Sequence, residues 1–346
     1  MRSTYVLLFA LALTSPAAAQ SFDCKLAQSP RERTICSNTD LGTLDSNVAA
    51  AYKAAHSKLS PAAFALVQSD QRQWLRWLDK VCPSSSFIAD CLTGHYNSRL
   101  QQLSGGIITT NGITFYPRAH FSFAPDTRKP EERDPTDLGF IYDEDVLPQI
   151  DITPDRPNPA YAAWNATLQP KPATKAPADS TEDNITRSET TYAVIAANNR
   201  LIDISFTGWF YSGGAHPEGG DSSNLWWLDK HRALVASDVF RPNSGWQQKL
   251  VDPAIRKLQA DYKDDSVNTV DELRKAVPSA ITRISAWGVT SKGLTITFGI
   301  YEVGPHSMGT PDITFTWDEL KPYLEPTLNP STLPAPIPYP RDDPNN

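Results

Sequence analysis

Apolar positions recur at three- and four-residue steps through the first third of the chain, and alternate along much of its last third. Leu41, Leu44, Val48, Tyr52, Ala55 and Leu59 form one helical stripe. Ser60-Pro61 then starts a second helix, with proline at the first position where its missing N–H costs nothing. The inner face of that helix is Phe64, Val67, Gln71, Trp74, Leu75 and Leu78, and a third helix is expected from Phe87 to Leu103 through Ile88, Leu92, Tyr96 and Arg99. Farther on the period changes. Thr191 to Ala197 and Arg200 to Phe210 read as strands joined at Asn198-Asn199, because Asn tolerates the positive φ of a tight hairpin. Ile202, Ile204 and Phe206 share one face. Asn224 to Leu228 is a further strand, whose adjacent Trp226 and Trp227 must point to opposite sides.

Two helical pieces follow, one carrying Trp246 and Leu250 on to Leu258 and Tyr262, the other opened by the capping box Thr269-Val-Asp-Glu272. Strands return at Ile284 to Val289, Leu294 to Tyr301 and Ile313, Phe315, Trp317, with Ser291-Lys-Gly293 turning the hairpin. Helices and strands in blocks, rather than in strict alternation, indicate an α+β fold. A stapled three-helix module is expected over residues 21–104 and an antiparallel-sheet α+β domain over 189–325.

Residues 105–188 join the two. Ile107 to Tyr116 and Ala119 to Phe123 suit strands and Tyr161 to Leu168 a short helix, yet eleven prolines from Pro117 to Pro177 argue against continuous regular structure. Residues 326–346, also proline-dense, are expected to be a disordered tail.

Composition narrows the setting. The net charge of -7 and pI near 5.4 argue against a nucleic-acid partner, which needs a basic face. Residues 1–20 read as a secretory signal, with Arg2, an apolar run from Tyr5 to Leu13 and a Pro16-Ala17-Ala18-Ala19 cleavage region. No stretch is long enough to span a bilayer, so a periplasmic or secreted protein is expected. All four cysteines fall between Cys24 and Cys91, an even count suited to an oxidising compartment. Of three connectivities, Cys24–Cys36 and Cys82–Cys91 close the short local loops and are preferred. Their spacing is not that of a zinc ribbon.

The series Cys24, Glu32-Arg-Thr-Ile-Cys36, Leu41-Gly-Thr-Leu-Asp45, Tyr52, Gln71-Arg-Gln-Trp-Leu75, Cys82, Cys91-Leu, Tyr96 and Arg99-Leu resembles the LprI-type lysozyme inhibitor module. The resemblance implies an exported, cysteine-stapled helical unit, associated in some members with lysozyme inhibition. Gln71, Arg72 and Arg99 are expected in a hydrogen-bond network between or on the helices. A second likeness rests on Tyr211-Ser-Gly-Gly-Ala-His216, Trp287, Thr290-Ser-Lys-Gly-Leu294 and Tyr301-Glu-Val-Gly-Pro-His-Ser-Met-Gly309. These are similar to the extracytoplasmic domain of lysozyme-sensing anti-sigma factors, a domain type that also accompanies some peptidoglycan deacetylases.

Candidate chemistry concentrates at Phe206 to Gly220, where six glycines and prolines flank Trp209, Phe210, Tyr211 and His216. Ser212-Gly-Gly lacks the G-x-S-x-G context of a nucleophile elbow. His216 and His306 invite a metal only if Glu218 or Asp221 joins them, and their spacing does not require it. No catalytic residue, cofactor or metal is therefore expected. The expected role is binding a lysozyme-type glycosidase through Trp209, Tyr211, Ser212, Gly213, Gly214, His216, Glu218 and His306, with the loop from Tyr211 to Glu218 protruding into the enzyme's sugar cleft. Peptidoglycan is the alternative partner, since Trp209, Trp226 and Trp227 offer flat faces to sugars, and a structural envelope role is the third.

Overall fold

A computed structural model describes residues 21–125, 129, 131, 140–155, 157–169, 187–211, 216–263 and 267–338. The proposed signal segment, residues 170–186 and residues 339–346 lie outside these.

The N-terminal module contains four helices, α1 (Pro30–Ser37), α2 (Thr39–Lys58), α3 (Pro61–Val81) and α4 (Ile88–Gly105), preceded by a 3-10 turn at Cys24–Leu26. The expected three are α2 to α4. The additional α1 buries only Ile35, so it leaves almost no periodic signal, although Ser29 and Glu32 form a complete capping box in front of it. Both disulfides form as expected: Cys24–Cys36 ties the 3-10 turn to α1, and Cys82–Cys91 ties the end of α3 to α4. Trp74 and Trp77 fill the core, Trp74 edge-on to Tyr96 at 4.9 Å. The expected network exists in part. Arg99, wholly buried, donates to Gln71 Oε1 (2.8 Å) and to Gln102 Oε1 (2.9 Å), whereas Arg72 is exposed.

Seven strands follow in one sheet, ordered as in the sequence: β1 (Ile108–Thr110), β2 (Ile113–Pro125), β3 (Phe140–Ile150), β4 (Arg187–Ala197), β5 (Leu201–Tyr211), β6 (Glu218–Trp227) and β7 (Arg232–Ala233). Neighbours are antiparallel except β3 and β4, which run parallel and whose connection includes the short helix α5 (Pro159–Thr167). The proline-rich middle is thus more regular than its composition suggests. Pro117 of β2 sits opposite Pro148 of β3, so both missing donors fall on one rung and the ladder continues on either side.

Beyond the sheet lie α6 (Ala236–Val239), α7 (Trp246–Lys249), α8 (Val251–Asp261) and α9 (Val270–Thr282), the last under the expected Thr269–Glu272 capping box. A second antiparallel sheet is built from β8 (Trp287–Thr290), β9 (Gly293–Thr297) and β10 (Asp312–Thr316). Trp317 opens the helical turn α10 (Trp317–Leu320) instead of ending a strand, because Thr316 caps it through Glu319. Trp227 enters the C-terminal core while Trp226 packs against the core shared by β2, β4, β5 and α5, which is the opposition expected of adjacent strand residues. Residues 326–338 are not a free tail. Leu328 and Leu333 are buried, Ser291 N–H donates to Pro334 O, and Ile337 N–H donates to Ile195 O (both 2.8 Å). Two leucines among the prolines supply the apolar area that holds the segment down. Among the described residues no helix is long and apolar enough to cross a membrane.

The helical module is clasped to the first sheet by polar contacts. Arg118 of β2 reaches Asp70 of α3 at 2.8 Å, Ala119 N–H donates to the same carboxylate, and Asp151 accepts from Ser60 N–H and Oγ.

Candidate functional site

The β4–β5–β6 register dictates the groove. Glu189 lies directly opposite Trp209, and Trp209 opposite Gly219. A side chain at Gly219 would meet Gly208 O at 2.2 Å and Trp209 Cα at 2.7 Å, so only glycine permits this close approach of β6 to β5. The guanidinium of Arg187 lies over Trp209 (5.2 Å) and over Tyr211 (5.3 Å), which fixes both rings.

The opposing wall is the segment 298–309 between β9 and β10. Glu302 organises it, accepting from Gly299 N–H (2.7 Å) and from both terminal nitrogens of Arg283 (3.1 and 2.7 Å). Tyr301 stands beside it at φ 64°, and the residue is 58% exposed. A left-handed tyrosine is strained, and such strain persists only where the surroundings hold it. Asp221 of β6 accepts from Thr207 and from Thr310, joining this wall to the hairpin.

Between the two walls lies a cavity of about 460 Å³. Trp209, Phe210, Glu218, Tyr301 and His306 line it, with Glu189 among the lining residues. Burial, and then the neighbouring Glu144 charge, push the Glu189 carboxyl up to about 7, with Arg187 and the Trp209 N–H acting in the opposite direction. His216 stacks at 4.5 Å on His306, which in turn lies 5.3 Å from Tyr301.

The structure therefore brings together Trp209, Glu218, His216 and His306, with Tyr211 beside them on Arg187. Ser212, Gly213 and Gly214 lie outside the described residues. Trp209 and Tyr211 belong to β5 and Glu218 opens β6, so these positions extend the ladder, while residues 212–215 of the protruding loop expected from Tyr211 to Glu218 lie outside the described residues. Alternation carries the strand to Tyr211, and the glycines of β6 pair within it. Sequence reasoning missed Arg187, Glu189 and Tyr301 as groove residues. Tyr301 opens a glycine motif that is visible in the sequence, but Arg187 and Glu189 become meaningful only through strand register.

Aromatic rings beside a carboxyl and two imidazoles suit a ligand with apolar faces and hydroxyl or amide edges.

Comparison with known proteins adds two segments. Residues 24–103 match the family described as lysozyme inhibitor LprI. Residues 237–318 match a family described as a protein of unknown function, DUF3298. That match does not confirm the likeness to anti-sigma-factor domains. No curated protein matches the chain. Among solved structures, a DUF3298 family member from Bacteroides fragilis is 17% identical, covering 63% of this chain and 96% of its own, with a TM-score of 0.43. A DUF3298 family protein from Pseudomonas aeruginosa is 18% identical, covering 62% and 95%, with a TM-score of 0.38. The chain thus joins a segment similar to the lysozyme inhibitor LprI family to one similar to a family of unknown function.

Proposed function

We propose that this is an exported, non-catalytic envelope protein, periplasmic or secreted, that binds and inhibits lysozyme-type muramidases. The observation that carries the reading is the LprI match over residues 24–103, the segment that folds here as a helical module with two disulfides. Two disulfides also suit export to an oxidising compartment.

The contact surface in this reading includes the tip of the β5–β6 hairpin, where Tyr211, His216 and Glu218 meet the rim of the groove. The tip occludes the enzyme's sugar cleft, and His216 or Tyr211 offers a hydrogen bond to one of the two catalytic carboxyl groups there. A net charge of -7 accelerates capture of a basic enzyme. A specific complex of this kind buries about 800 Å² on each partner.

The test is a pull-down of purified mature protein against lysozyme and, separately, against isolated sacculi. Retention of lysozyme that weakens with added salt supports the reading. Capture by the double variant Tyr211→Ala/His216→Ala equal to wild type moves the contact to the helical module. A second reading is favoured by one observation, the cavity between Trp209 and Tyr301. In that reading the ligand is a peptidoglycan strand stacked on the rings, and salt-insensitive retention by sacculi alone is the result that selects it.

A further inference from the structure

The helical module and the sheet meet around a partly buried cluster that adjoins the groove. His95 of α4, Glu144 of β3 and Glu189 of β4 each offer one ligand atom, and these atoms all lie within 4.8 Å of one another. The strand register explains the two carboxylates, since Glu144 and Glu189 are direct partners across the parallel β3–β4 pair. His95 is aimed at them by its edge-on contact with Trp77, at 4.7 Å.

Each carboxyl of the cluster has a donor on one side, Gln102 for Glu144 and the Trp209 N–H for Glu189. Glu144 is 3% exposed, and Gln102 donates to its Oε1 at 2.9 Å. Its Oε2 points to His95 Nδ1 at 3.9 Å, beyond hydrogen-bonding range, and no hydrogen bond from a described residue reaches that oxygen. Two guanidinium groups stand near, yet neither forms an ion pair with the cluster. Arg99 spends Nε and Nη1 on Gln71 and Gln102, and Arg187 lies over Trp209 and Tyr211. Two carboxyl groups buried side by side without a direct cation are costly unless a proton or a metal compensates them.

We propose that His95, Glu144 and Glu189 bind one divalent first-row transition ion, of the zinc class, which bridges α4 to the sheet. One imidazole nitrogen and two carboxylate oxygens are a recognised donor set for such ions. An ion at about 2.0–2.2 Å from each ligand requires them to close by roughly 1 Å, a side-chain adjustment. Gln102 orients Glu144 from behind, as an outer-shell partner does. The fourth position faces the groove, because Glu189 lines both. Cys82 and Cys91 also lie within reach of His95, but their sulfurs are bonded to each other and ligate nothing.

The test uses the full mature chain, stripped with a chelator and titrated with zinc chloride by calorimetry, with thermal unfolding followed in parallel. One ion per chain and a raised Tm are expected. His95→Gln and Glu189→Gln, each checked for the wild-type circular dichroism spectrum, should bind at least about a hundredfold more weakly. The variant His216→Ala/His306→Ala should bind as wild type. The proposal is overturned by the absence of stoichiometric zinc, by unchanged affinity in both ligand variants, or by loss of binding in the His216/His306 variant.

Discussion

Asp203 shows how one residue sets a pH dependence for the whole chain. It is completely buried between the two sheets, where Oδ2 accepts from Val289 N–H at 2.7 Å and Oδ1 has no partner. Burial pushes its carboxyl up to about 8. The unfolded chain releases this proton near pH 4, the folded chain near 8. The contribution of this group to stability is therefore fully present below pH 4 and is lost as pH rises from there to 8. Asp203→Asn keeps the shape and removes the ionisation. Its Tm at pH 8 should equal or exceed that of wild type, and its plot of Tm against pH should be flatter between 4 and 8. A Tm at pH 8 several degrees below wild type would contradict the burial argument. Gly219→Ala tests the groove at the same scale. The added methyl meets backbone rather than a mobile side chain, so a loss of about 1–3 kcal/mol in denaturant unfolding is expected. None of this was legible in sequence, because Asp203 looks like an ordinary outward-facing residue of an alternating strand, opposite Ile202 and Ile204.

At the scale of elements, α2, α3 and α4 of the first module were readable because their apolar stripes run for several turns, and each carries an N-terminal cap signal or a staple. Its disulfides close loops of 12 and 9 residues. Chain-entropy estimates give each about 2.5–3 kcal/mol, so Cys82→Ser/Cys91→Ser should lower stability by that order in urea unfolding. Strands β2 and β3 were not readable at their true length. Proline content speaks for loops, and only the pairing of Pro117 with Pro148 makes the two donors lost on one rung tolerable. Asp70 carries the contact between α3 and β2. Asp70→Asn weakens a charge-assisted pair with Arg118 and should cost about 1.5–3 kcal/mol. A change below a few tenths of a kcal/mol would show that the clasp contributes little.

For the whole molecule, the two matched segments precede and follow in sequence a sheet that takes strands from both sides of residue 188. The composition of residues 105–188 hid this continuity, and with it the junction where His95, Glu144 and Glu189 converge from positions more than forty residues apart. The groove was legible only in outline: its glycine motifs and rings stood out, whereas the wall formed by Arg187, Glu189 and the strained Tyr301 depends on register and backbone angle. The account as a whole rests on the muramidase partnership. Its most direct test is the clearing rate of a bacterial cell-wall suspension by lysozyme, measured against increasing concentrations of the mature chain. The account predicts a saturable fall in rate that approaches completion near one chain per enzyme; a rate unchanged at tenfold molar excess of folded, disulfide-bonded protein would contradict it.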